Sequence, residues 1–243
     1  MIQCDLNCDM GEGMANDEAL MPYITSANIA CGYHAGNDAL MRKTVDLAIK
    51  HGVRIGAHPS FHDKKNFGRR EIKLPPDEIY SLVMQQLIRL QGIVREKGAK
   101  LHHIKPHGAL YNMAAKDREM SKAILTAVKD VSETMEVYAL SGSVLVEEAK
   151  KMGISTKSEV FADRTYQDDG SLTPRNMPRA FIGTVEHCLD QVTEMVREGI
   201  VTTVSGKQIK IKAETICLHS DGAHAVYFAK AISDALRLPM VSP

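Results

Sequence analysis

Strand-like and helix-like stretches alternate along almost the whole chain, and this alternation limits the architecture more than any other feature. Residues 2–9 read as a first strand. SANIAC (26–31), RIGAH (54–58), LHHIKPHG (101–108), EVYAL (136–140), TKSEVFA (156–162) and ETICLHS (214–220) follow. Between them, apolar residues recur at helical spacing. The clearest such stretch runs from Pro75 to Lys97, with Ile79, Leu82, Val83, Leu87, Leu90 and Val94 repeating, prolines at its start and Gly98 past its end. Another begins at an Asn37 or Asp38 cap and stops at Gly52. Further helices are expected over 117–131, 143–153 and 184–198, and from about His224 to Leu236. VTTVSGKQIKIK reads as a hairpin turning at Ser205–Lys207. Parallel strands need long crossovers, usually helical. Seven such units without a linker-like stretch predict one parallel α/β domain over residues 1–243, closed or nearly closed into a barrel.

Composition narrows the function. Hydrophobic residues make up 44% of the 243 residues, enough for a sizeable core. Thirty basic and thirty acidic residues cancel, so no basic field points to nucleic acid. No apolar run approaches the roughly 18–20 residues of a membrane span. The first residues lack the basic and apolar segments of a secretory signal. Five cysteines fall at irregular spacing, and Cys4, Cys8 and Cys217 sit in apolar strand patterns, so free core thiols and a cytoplasmic setting are expected. No GxGxxG follows the first strand, and SGKQ lacks the full phosphate-loop pattern.

The first strand separates two kinds of residue. Ile2, Cys4, Leu6 and Cys8 share one face; Gln3, Asp5, Asn7 and Asp9 share the other, and Glu12 follows the turn. Burying unpaired carboxylates costs several kcal/mol, so this face is expected to line a barrel mouth, with Lys105, Arg164 or a metal compensating. For Asp5 two readings stand, a site residue or a holder of neighbouring loops. In parallel barrels chemistry gathers at the C-terminal ends of strands. His34, His58, Lys105, His107, Asn112, Asp163, Arg164, His219 and Asp221 all fall at such ends. A single histidine is more often structural, but agreement among so many strand ends predicts one convergent site. Two long loops add Arg69 and Arg70 in NFGRR, and Arg164, Arg175 and Arg179 in the loop after the sixth strand. Arginine forks suit carboxylates and phosphates. Lys64 and Lys65 read as solvated surface, whereas Arg69 or Arg70 could point inward. Asp9, His58 and His107 have donor types suited to a borderline divalent metal; the other reading is no tightly held metal.

The blocks DLNCDMGEG, SANIACGYHAG, GAHPSF with NFGRR, HIKPHGALYN, EVFADRTY with SLTPR, and ICLHSD resemble the LamB/YcsF family, in order from residue 5 to residue 221. The resemblance implies a distorted (β/α) barrel of the glycoside hydrolase/deacetylase type. It implies opening of the lactam of 5-oxo-L-proline to L-glutamate, coupled to hydrolysis of ATP with its Mg²⁺. It implies the B and C subunits of 5-oxoprolinase as partners. Asp9, as base or metal ligand, Lys105 and His107 are the implied catalytic residues. Asn7, Glu12, Asn28, His34, His58, Arg69, Arg70, Asn112, Asp163, Arg164, Arg175, His219 and Asp221 are implied to bind substrate. Ser220 stands where the family pattern leads one to expect glycine, and a side chain there would disfavour a positive φ. Two other functions remain open: a metal-dependent deacetylase or carbohydrate amidohydrolase acting alone, and a non-catalytic substrate-binding subunit.

Overall fold

The computed structural model describes residues 4–222 and 224–236. The expected strand start at Ile2 and Gln3 lies outside the described residues. Strands β1 (Asp5–Met10), β2 (Ser26–Ala30), β3 (Arg54–His58), β4 (Leu101–Ile104), β5 (Glu136–Leu140) and β6 (Thr156–Phe161) pair in chain order, all parallel. A short antiparallel hairpin, β7 (Ile200–Thr202) and β8 (Gln208–Lys210), stands apart. Then β9 (Thr215–His219) inserts between β6 and β1 and closes the barrel. The expected closed parallel barrel of about seven strands is what forms.

The helices follow the sequence signals. The short α1 (Asp17–Leu20) precedes β2. α2 (Asp38–Lys50) starts where the Asn37 side chain accepts from the Leu40 N–H. α3 (Pro76–Glu96) buries Ile79, Val83, Leu87, Leu90 and Val94. α4 (Gly108–Ala114), α5 (Arg118–Val131), α6 (Val144–Lys151), α7 (Val185–Thr193) and α8 (Ala225–Leu236) complete the set. Among the described residues no helix is long and apolar enough to cross a membrane.

Several expected boundaries shift. The fourth strand stops at Ile104 rather than at residue 108. Lys105 and His107 remain extended alongside β3, donating backbone N–H groups to Ala57 and Pro59, while Pro106 has no N–H to give. Gly108, at φ 57°, then opens α4, a helix too short for its periodicity to be read. The sixth and seventh barrel strands each end one residue early. The 184–198 stretch is α-helical to Thr193 and π-helical over Glu194–Glu198.

On β1, Leu6, Cys8 and Met10 are fully buried in the apolar shell under the helices. The opposite face points into the barrel, and there the expectation of a polar mouth needs correcting. The polar lining runs through the depth of the barrel. At its lower end Asp5 accepts from Thr25, Ser26 and Thr215 hydroxyls at 2.6–2.7 Å and lies 3.3 Å from Arg54. Asp5 is therefore structural. Above it, His103 stacks on Tyr138 with ring centroids 4.0 Å apart. His103 occupies the space over Gly56, where a Cβ would lie 2.1 Å from its Nε2. Satisfied hydrogen bonds offset the desolvation of this polar interior.

Candidate active site

An amide layer supports the site from below. Asn7 donates to Glu159 at 2.9 Å and to Thr215 at 2.7 Å. Asn28 donates to Asn7 at 2.7 Å and to Asp9 at 2.8 Å, and accepts from His103 Nε2 at 2.8 Å. Asn7 and Asn28 are fully buried and absent from the cavity wall. Expected to bind substrate, they instead hydrogen-bond the groups that line the cavity.

On this layer sits Lys105, 2% exposed. Its Nζ lies 2.9 Å from Asp9 Oδ1, 3.0 Å from Glu159 Oε1, 3.3 Å from Asn7 Oδ1 and 2.9 Å from Cys217 Sγ. Burial pushes a lysine pKa down, but Asp9 and Glu159 outweigh it and hold Lys105 well above its ordinary value. Burial likewise pushes Asp9 up, but His58 and Lys105 hold its carboxyl well below the usual range. Burial holds the Cys217 thiol well above its usual value, so Cys217 is an uncharged neighbour. Lys105 is thus a fixed positive charge and not a proton acceptor.

The other Asp9 oxygen, Oδ2, lies 3.3 Å from His58 Nε2 and 3.9 Å from His219 Nε2. His219 donates its Nδ1–H to Asp163 at 2.9 Å, and Asp163 also accepts the His219 backbone N–H at 3.1 Å. Burial pushes Asp163 up, yet His219 brings its pKa below the usual value. This carboxylate fixes the ring so that Nε2 faces Asp9 and the cavity.

The cavity has a volume of about 910 Å³, and its wall includes Asp9, His58, Arg69, Lys105, Arg175 and His219. A smaller one of about 340 Å³ shares Arg175 and His219 and reaches Asp163 and Asp221. Arg69 lies over the Phe67 ring at 4.8 Å and 3.2 Å from Asp221. Arg175 lies 4.0 Å from the same Asp221 oxygen. Asn112 is exposed on the cavity wall.

Three expected site residues have other places. Arg70 is exposed and outside the cavity lining, so of the two NFGRR arginines only Arg69 reaches the wall. Arg164 is buried and touches the wall, but its guanidinium donates to the Ala180 and Thr173 carbonyls at 3.1 and 2.5 Å. It braces the long loop rather than offering a free fork. His107, expected to move protons, points Nε2 at the Phe67 carbonyl at 2.9 Å and Nδ1 at His58 Nε2 at 2.9 Å. Nε2 is held by a carbonyl and Nδ1 faces another histidine, whereas His219 Nε2 faces Asp9 at the cavity wall and is better placed for that task. Glu12 and His34 form a pair at 3.0 Å, with the His34 ring stacked on His107 at 3.8 Å.

The loop carrying Phe67 and Gly68 is shaped for this packing. Both have positive φ, 54° and 64°. A Cβ on Gly68 would lie 2.2 Å from Ser60 Oγ and 2.8 Å from His34 Cβ, so only glycine fits. Ser220 raises no such difficulty, because Phe67 and Arg179 are the only non-glycine residues with positive φ among those described.

Sequence reasoning missed Glu159, His103, Tyr111 and Cys217. Tyr111 donates to Glu159 at 2.6 Å, and all four are buried against the site. The signal was present for Glu159 and Cys217: period-two alternation in TKSEVF and TICLH places them on the face opposite Val160, Ile216 and Leu218.

Comparison with known proteins agrees with this architecture. The chain is 51% identical to the 5-oxoprolinase A subunit of Brevibacillus brevis over 237 residues, covering 96% of this chain and 93% of that protein. It is 49% identical to the 5-oxoprolinase A subunit of Bordetella pertussis, covering 96% and 94%. The crystal structure of a lactam utilization protein from Thermus thermophilus superposes with a TM-score of 0.89 at 40% identity, covering 97% of this chain and 96% of that one. The model of the LamB/YcsF family matches residues 4–241, nearly the whole chain, and the chain belongs to that family.

Proposed function

We propose that this chain is the A subunit of a 5-oxoprolinase and that it carries the amide-hydrolysing half of the reaction. The observation that carries this reading is the placing of Asp9, Lys105 and the Asp163–His219 pair at one cavity whose wall also holds Arg69 and Arg175. A small amide bearing a carboxylate needs both halves of that arrangement. The names of the relatives and of the superposable lactam utilization protein support the same reading.

Arg69 and Arg175 hold the substrate carboxylate. Lys105 stabilises the oxygen on which negative charge develops. Asp9, its pKa held low, orients and polarises water, and His219 accepts the proton and returns it to the leaving nitrogen. The lactam C–N bond breaks, and water supplies the second oxygen of the new carboxylate. The product is L-glutamate.

ATP with Mg²⁺ enters the reading as a co-substrate. The cavity is several times larger than a five-membered lactam needs, and its lining includes the exposed Lys116 and Arg118 as well as Arg175. No glycine-rich phosphate cradle accompanies them, so no phosphoryl-transfer step is assigned to this chain. The B and C subunits are the proposed partners that complete the coupling, and the setting is the cytoplasm.

The test is turnover of 5-oxoproline and ATP by this chain with and without candidate B and C subunits. Glutamate and stoichiometric ADP are expected only from the mixture. Acetate released from an acetylated sugar without ATP would replace this reading with a deacetylase. Unchanged turnover in an assembled complex carrying Asp9→Asn would reduce the chain to a binding role.

A further inference from the structure

With their rings neutral, His58 and His107 meet Glu12 in a way that hydrogen bonding among the three does not explain. His58 Nδ1 lies 2.7 Å from the Lys105 carbonyl oxygen. His107 Nε2 lies 2.9 Å from the Phe67 carbonyl oxygen. A carbonyl only accepts, so each of these nitrogens carries the proton of its ring. In a neutral imidazole the other nitrogen then presents a lone pair. Those other nitrogens, His58 Nε2 and His107 Nδ1, face each other at 2.9 Å. Glu12 Oε1 lies 3.3 Å from the second and 3.8 Å from the first. Buried lone pairs converging on one point call for a proton or a metal ion between them.

We propose that Glu12, His58 and His107 bind one borderline divalent cation of the zinc type, with its open side toward the cavity. Zinc–nitrogen and zinc–oxygen bonds of about 2.0–2.2 Å put tetrahedral ligands about 3.3–3.5 Å apart. The separations of 2.9, 3.3 and 3.8 Å bracket that spacing. The His58 and His107 rings cross at 85°, so both can aim a nitrogen at a common point. The two carbonyls that take the remote ring protons are the outer partners that ligating histidines characteristically have. His58 and His107 lie in the cavity wall, which leaves a coordination position open there. Two histidines, a glutamate and an open position form a donor set of the catalytic kind.

Two neighbours are excluded from the ligand set. His34 lies parallel to His107, with an interplanar angle of 8° and centroids 3.8 Å apart, so the two rings cannot share an in-plane ion. Its Nε2 is 3.0 Å from Glu12 Oε1, and it positions that carboxylate. Asp9 Oδ1 is engaged by Lys105 and Asn28, and although Oδ2 lies 3.3 Å from His58 Nε2, Asp9 gathers with Cys217 and His219, whereas Glu12 gathers with both His58 and His107. The expected Asp9–His58–His107 set thus changes, with Glu12 replacing Asp9. Asp9, Cys217 and His219 also approach one another, but the Lys105 ammonium sits against Asp9 and Cys217 and occupies the place of a cation.

The proposal goes beyond the catalytic reading and is tested without turnover. The full-length chain is purified without chelator and its metal content measured. It is then stripped and titrated with Co²⁺, followed by visible absorption. Near one equivalent of a transition metal in the purified chain is expected, with intense Co²⁺ bands of low coordination number that Zn²⁺ abolishes. Glu12→Gln and His107→Gln are expected to weaken Co²⁺ binding at least ~10-fold and His34→Gln ~10–100-fold, whereas His102→Gln leaves it unchanged. Circular dichroism selects the variants that are folded. A folded wild-type chain with no metal above background and no Co²⁺ band overturns the proposal; a proton then satisfies the two nitrogens. Bands that survive in folded Glu12→Gln and His107→Gln overturn it as well.

Discussion

Lys105→Met is the most informative single change. Methionine keeps the unbranched stem and removes the ammonium that lies 2.9 Å from Asp9 and 3.0 Å from Glu159. Glu159 is fully buried and Asp9 is 3% exposed, so water screens the lost charge poorly. Removing one partner of a buried ion pair costs about 3–5 kcal/mol. At a urea m-value of about 3 kcal/mol/M for a chain of this size, the unfolding midpoint falls by about 1–1.7 M. The chain has no tryptophan, so far-UV circular dichroism and tyrosine fluorescence are the probes. The pH dependence has a definite sign. Without the ammonium, the Asp9 carboxyl loses one of the charges that offset its burial, so its folded-state pKa rises. The penalty is then fullest at pH 7 and shrinks as falling pH protonates Asp9, so the gap to wild type narrows toward acid pH. Adding Asp9→Asn and Glu159→Gln to Lys105→Met should restore most of the midpoint. A drop below about 0.3 M for Lys105→Met, or no recovery in the triple variant, would refute the charge argument.

Other outcomes are expected from the same structure. Asp9→Asn keeps the fold but lowers turnover of the assembled enzyme at least ~100-fold, measured as glutamate formed; a loss under tenfold would remove Asp9 from the chemistry. Asp5→Asn lowers stability by about 1–3 kcal/mol, because Asp5 accepts three hydroxyl hydrogen bonds at the far end of the barrel, and leaves kcat within about twofold. Gly56→Ala drives a Cβ into His103, whose ring is held by Asn28 and Tyr138, and costs about 1–3 kcal/mol in a urea melt. Asp163 has its folded-state pKa below the ordinary 3.8, so its contribution is full above that value and is lost as pH falls through the folded pKa. Asp163→Asn should therefore flatten the acid limb of the stability–pH curve below about pH 4.

The sequence by itself determined the barrel and the side of each strand that carries chemistry. Alternation of period two in DLNCDM places Leu6 and Cys8 under the helices and Asn7 and Asp9 inside, since successive residues of a strand point to opposite faces. Crossover helices force neighbouring strands to be parallel, so chain order foretells pairing from β1 to β6. Local pattern cannot say which inward side chains meet. That depends on how the barrel closes and on the strand register. Closure brings Asn7 to Glu159 across 152 residues and Lys105 to Cys217 across 112. Only the folded chain separates Arg164, engaged by loop carbonyls, from Arg69 at the cavity wall, because in sequence both are arginines beside a strand end. Only the folded chain decides the histidines too. A ring's chemistry is set by the partner of its other nitrogen, Asp163 for His219 and the Phe67 carbonyl for His107.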